Sequence, residues 1–236
     1  MSGEFLSALA AIVLIDLVLA GDNAIVIALA ARNLPRALQR KAVVWGTVGA
    51  VAVRATLTGA VLWLLEVPGL MLAGGGLLAW IAYRLLVGEE ARAERGMAPA
   101  SGFWSALRTI VVADAVMGLD NVLAVAGAAG GSLLLVVLGL AISVPIVVWG
   151  STLILRFVDR YPGILYAGGA VLAWTSARMV TGEPFVKEQL AALPGASALV
   201  HLVMIAGVLG FAWAHNRAKS RSQGGAAPRK PAKETP

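Results

Sequence analysis

Apolar runs long enough to cross a bilayer leave this chain little choice of fold. Spans of roughly twenty residues can be drawn at about 5–31, 42–65, 69–87, 104–128, 133–155, 163–181 and 197–214. In lipid a segment must satisfy its own backbone polar groups, so runs of this length become helices. The sequence predicts an all-α polytopic membrane protein with seven transmembrane helices. Composition agrees: 59% of residues are hydrophobic and 14% charged, far from a soluble domain. The first run opens with Glu4 and is too long for the apolar core of a cleavable signal peptide, so it is expected to stay as the first helix.

The 19 Lys and Arg residues bear on topology rather than on nucleic acid, for which no motif is present. With the N-terminus outside, one side collects Arg32, Arg36, Arg40 and Lys41, then Arg92 and Arg95, then Arg156 and Arg160, then the basic tail, while the other keeps only Lys187. The positive-inside rule therefore favours N-outside, C-cytoplasmic. Residues 216–236 are rich in Gly, Ala, Pro and basic residues without apolar periodicity and are expected to form a disordered cytoplasmic tail. There is no Cys, and His201 and His215 lie in or after the last span, which argues against a thiolate or His-rich zinc site.

The segment "DLVLAGDNAIVIALAA" from Asp16 recurs as "DAVMGLDNVLAVAGAA" from Asp114, so that Asp16 pairs with Asp114, Asp22 with Asp120 and Asn23 with Asn121 at one shared offset. A second match, at a slightly smaller offset, joins "PGLMLAGGGLLAWIAYRLLVGEE" from Pro68 to "PGILYAGGAVLAWTSARMVTGEP" from Pro162. Spans one to three, at about 5–90, thus correspond to spans four to six, at about 104–184. An odd number of spans per unit makes this an inverted repeat, the architecture of many secondary transporters. The seventh span, at 197–214, completes a domain over 1–215. Shared small residues in spans three and six are expected to be packing contacts. Packing does not require carboxylates at the same depth in both halves.

Each uncompensated charge at the bilayer centre costs about 2.5–3.5 kcal/mol on insertion scales, so Asp16, Asp22, Asp114 and Asp120 need compensation. Six residues separate the two Asp of each pair, which sets them roughly 120° apart on a straight helix. Gly21 and Gly118 make local unwinding plausible, which would place backbone carbonyls beside the carboxylates. Carboxylate, amide and carbonyl oxygens are hard ligands suited to magnesium, calcium or manganese. Met117 could add one soft sulfur, although packing is its expected role. Arg54, near the middle of the second span and without a counterpart in the fifth, is expected to pair with one of the four Asp. Arg84 and Arg178 are expected to snorkel to opposite faces, and Glu89 and Glu183 stand at matching helix ends, with gating roles open for all four.

The doubled Asp-x5-Asp-Asn pattern over nearly all of residues 5–215 resembles the TerC family of integral membrane proteins, within the wider group of LysE-type transporters. The resemblance implies a multi-pass protein of the bacterial inner membrane, named for tellurium resistance and similar to exporters that lower intracellular manganese. It implies a metal site at Asp16, Asp22, Asn23, Asp114, Asp120 and Asn121. The soluble cystathionine-beta-synthase or corrin-type domains of some members are not expected.

The resulting expectation is a divalent metal transporter, manganese(II) efflux first, working by alternating access. Four carboxylates outweigh Arg54 and one divalent ion together, so a proton is the natural coupling partner. No organic cofactor is implied, and oligomeric state is left open. Alternatives are another divalent cation such as calcium, or a non-transporting membrane partner in tellurium and metal stress. An intramembrane aspartyl protease fits poorly, since that chemistry needs one dyad and the chain has four symmetric Asp, so the protein is not expected to be an enzyme.

Overall fold

The computed structural model describes residues 2–60, 67–93, 99–130, 132–161 and 163–224. Among them are eight helices: α1 (Ser2–Ala31), α2 (Arg36–Gly59), α3 (Leu70–Ala93), α4 (Pro99–Ala129), α5 (Leu133–Arg160), α6 (Gly163–Gly182), α7 (Pro184–Ala191) and α8 (Ala196–Gly224). Apolar composition and the length of the runs produce these helices, and turns with Gly or Pro separate them. Gly69, Gly130 and Gly195 adopt positive φ at three of the joints, a conformation that glycine reaches without steric cost. Pro35 precedes α2, where its missing N–H costs no hydrogen bond.

Five helices are long and apolar enough to cross a membrane, namely α2, α3, α4, α5 and α8, and α1 adds a sixth if its two segments are one span. Those segments, Phe5–Leu17 and Gly21–Ala31, meet at 49°. The expected break near Gly21 is thus a bend within a continuous helix, and α4 runs unbroken past Gly118. The helix α6 occupies the place of the sixth expected span but falls short in hydropathy, because it carries Thr175, Ser176, Arg178 and Thr181. Its polar positions Thr175 and Ser176 are buried in the protein, and α6 packs on α3, α8 and α1. The expected irregular tail starts later than residue 216: α8 continues to Gly224, and residues 225–236 lie outside the described part.

Packing between helices comes in matched couples. The helix α1 packs on α5 as α4 packs on α2, and α1 meets α6 as α4 meets α3; α1 meets α4, and α3 meets α6. Small residues set the closest approaches. Ile12 of α1 covers Gly139 of α5, while Ile110 of α4 covers Gly46 of α2. Ile12 and Ile110 stand at the same place in the two Asp-bearing segments. On the other side of the bundle Val180 of α6 covers Gly75 of α3, and Leu86 of α3 covers Gly169 of α6.

The outward faces remain apolar: Trp45, Trp104, Trp149, Leu202, Phe211 and Trp213 are all exposed. A surface of this kind suits lipid rather than water. Met117 lies buried in the core with Leu78, Ala113, Leu172 and Met179, in agreement with the packing role expected for it.

Candidate metal centre

Three helices bring their charges to one point inside the bundle. Arg54, at 4% exposure, projects from α2 between Asp16 of α1 and Asp114 of α4, at 3% and 7%. Its Nη1 donates to Asp16 Oδ1 and its Nη2 to Asp114 Oδ1. Pairing was expected for Arg54 with one carboxylate; the structure supplies two, the equivalent members of the repeated segments. The arrangement follows from packing, since the Gly46–Ile110 contact draws α2 against α4 while α1 lies on α4. Gly118, one turn beyond Asp114, faces the Arg54 shaft: a Cβ there would stand in ordinary contact, 3.6 Å from Nε and 3.8 Å from Cγ.

The second carboxylate of α1 points elsewhere. Asp22 is half-buried; its Oδ1 accepts from the Asn23 backbone N–H at 3.0 Å and its Oδ2 from the Thr175 hydroxyl of α6 at 3.3 Å. It remains within electrostatic reach of both Arg54 and Arg178. Asn23 and Asn121 are both buried. The side chains of Asp120 and Glu89 lie outside the described part of the structure.

Among the described residues no three His, Asp or Glu side chains gather into a group that could hold an ion; the guanidinium stands where Asp16 and Asp114 would otherwise face each other. The donor set nonetheless suits a hard cation. Asp114 Oδ2 and Asn23 Oδ1 are buried oxygens with no hydrogen-bond partner, and a buried acceptor left unpaired costs about 1–3 kcal/mol. Oxygens of this kind are the ligands of magnesium, calcium and manganese.

Two features go beyond the sequence reading. Thr175 has a signal in the repeat, which reads "LAWTSAR" where its partner reads "LAWIAYR", so polar Thr175 and Ser176 replace apolar Ile81 and Ala82. Thr175 meets Asp22, and Ser176 donates to the Gly75 carbonyl at 2.6 Å. Glu183, a candidate for gating, is buried and accepts from the backbone N–H groups of Gly69, Met71 and Leu72 at 2.8, 3.1 and 3.4 Å. A carboxylate there satisfies the free amides at the start of α3 and complements the helix dipole. His201 and His215 are bonded to the Ser197 carbonyl and the Tyr83 hydroxyl rather than to residues of this centre.

A family model described as "Integral membrane protein TerC family" matches residues 1–223. The membrane protein YjbE of Bacillus subtilis is 45% identical over 183 residues, which cover 78% of this chain and 83% of that protein. A second Bacillus subtilis membrane protein, YkoY, is 24% identical over 69% of this chain and 56% of its own length. The inner membrane protein YgdQ of Escherichia coli is 25% identical over 66% of this chain and 73% of its own length. No solved structure matches the chain.

Proposed function

Since the chain belongs to the TerC family of integral membrane proteins, and is a multi-pass membrane protein, we propose that it transports a divalent metal ion, manganese(II) first, outward across a bacterial inner membrane. One observation carries the reading: equivalent carboxylates from α1 and α4 bind one guanidinium inside the bundle, and the same two segments carry buried oxygens, of Asp114 and Asn23, that lack partners. Buried charge within a membrane is costly and marks ion pathways.

Asp22, Asn23, Asp120 and Asn121 complete the proposed site with Asp16 and Asp114. The matched packing of α1–α3 and α4–α6 supports an inverted repeat and a transport cycle in which the halves rock about the central site. In this reading α6 counts as the sixth span and α8 as the seventh, with the N-terminus outside and the C-terminus cytoplasmic, as the basic residues favour. A proton is the proposed coupling ion. The guanidinium between Asp16 and Asp114 argues against an aspartyl protease, whose two carboxylates must share a proton directly.

Purified protein in liposomes tests this. Manganese uptake driven by an imposed proton gradient, exceeding that of magnesium and calcium, is the expected result. Flux that ignores the gradient would remove the antiport step. Absence of flux with all three ions, in vesicles holding folded protein, would favour a non-transporting membrane partner.

A further inference from the structure

The matched halves differ at the charge that matters most. Counted from the paired glycines Gly46 and Gly139, the place of Arg54 in α2 is taken in α5 by Val147, which is buried. An ion pair needed merely to insert each half would come twice. Here a single cation serves both halves and grips Asp16 and Asp114 together.

The grip is narrow. Both bonds run through the Nη atoms, and Arg54 Nε is buried without a partner. Thr58 donates to the Arg54 backbone carbonyl at 2.8 Å, a bond that does not involve the side chain. Gly118 lies along the shaft, where a Cβ would come into ordinary contact with it. Among the described residues the guanidinium hydrogen-bonds only these two carboxylates, with Asp22 adding a weaker attraction, and the two carboxylates supply oxygens that a divalent cation would need.

We infer that Arg54 is a tethered cation that competes with the metal for Asp16 and Asp114, leaving them when metal binds and returning when it departs. This rests on the transport reading. An empty site with unscreened carboxylates inside the membrane would resist passage between its two open states; with Arg54 in place the empty carrier can reset. Such a competitor weakens metal binding in proportion to the fraction of time it holds the site. It also makes net transport, which requires the carrier to return without metal, depend on Arg54 far more than metal-for-metal exchange does.

The test uses the full chain with Arg54→Gln and Arg54→Lys. Manganese binding is measured in detergent, and liposomes report both net efflux into metal-free medium and exchange of labelled for unlabelled manganese. The expected result for Arg54→Gln is manganese affinity raised by about tenfold or more, with the ratio of net efflux to exchange lowered by a similar factor. An unchanged or weaker affinity in folded Arg54→Gln, or an unchanged ratio, overturns the inference. Should that variant not fold, Arg54→Lys decides: a lone ammonium lacks the fork that spans two carboxylates, so tighter manganese binding with net efflux retained is expected, and equal or weaker binding overturns the inference. A failure of the transport reading shows separately, as wild-type protein that neither binds nor exchanges the metal.

Discussion

Asp16 on α1 and Asp114 on α4 hold opposite ends of one guanidinium, so the equivalent carboxylates of the two halves are joined through a residue that belongs to only one of them. Removing one partner of a buried charge cluster leaves the others uncompensated. Asp114→Asn is therefore expected to destabilise the protein by about 3–5 kcal/mol, read as a fall in the thermal unfolding temperature in detergent. Unaltered stability would mean that the Arg54–Asp114 contact contributes nothing to the fold.

The second Asp of each segment is expected to act on transport rather than on folding. Asp22→Asn and Asp120→Asn each delete a carboxylate at constant shape and should abolish metal flux while leaving an inserted protein. Growth of manganese-stressed cells expressing each variant at matched levels checks this. Full protection by either variant would remove that residue from the ligand set.

Thr175 gives Asp22 a hydroxyl partner from the opposite half. Partners of a metal-binding carboxylate that are not themselves ligands typically change affinity by 10–100-fold when removed. Thr175→Val, which keeps the volume, should weaken manganese binding by about tenfold, and Thr175→Ser should restore it. Equal affinity in the Val and Ser variants would sever Thr175 from the site.

The closest helix crossings leave no room for a methyl group. A Cβ at Gly46 would stand 2.8 Å from the Ile110 Cδ1, so Gly46→Ala should cost about 1–3 kcal/mol through overpacking. Adding Ile110→Val removes that Cδ1, and the double variant should regain part of the loss. Purely additive destabilisation in the two variants would show that the crossing relaxes in some other way.

Glu183 is expected to secure the fold from outside the centre. Glu183→Ala frees the amides of Gly69 and Met71, and hydrogen bonds to a charged group contribute about 1.5–3 kcal/mol. A loss in that range should appear as a lowered unfolding temperature, with Glu183→Gln lying between the variant and wild type.

Much of this was legible in the sequence because membrane helices announce themselves by length and apolarity, and because a carboxylate in such a run is too costly to be incidental. The pairing of Arg54 with buried carboxylates follows from that. The count of spans is less legible: Thr175 and Ser176 lower the hydropathy of α6, and only its burial against α1, α3 and α8 shows why polarity is tolerated there. The reach of α8 to Gly224 was also hidden, since a basic polar segment continuing a helix has no apolar periodicity to betray it.

Helical periodicity alone sets Asp16 and Asp22 on different faces of α1 without saying which neighbour each face meets. That choice belongs to the tertiary structure. Ile110 resting on Gly46, and Ile12 on Gly139, bring α2 and α5 into the bundle at a depth and rotation that turn Arg54 toward the first carboxylate of each segment and leave Asp22 to Thr175. Sequence composition determined that buried charge had to be compensated; steric fit at glycine crossings decided which charges meet, because contacts of one methyl group fix the position of a helix more sharply than any pattern along it.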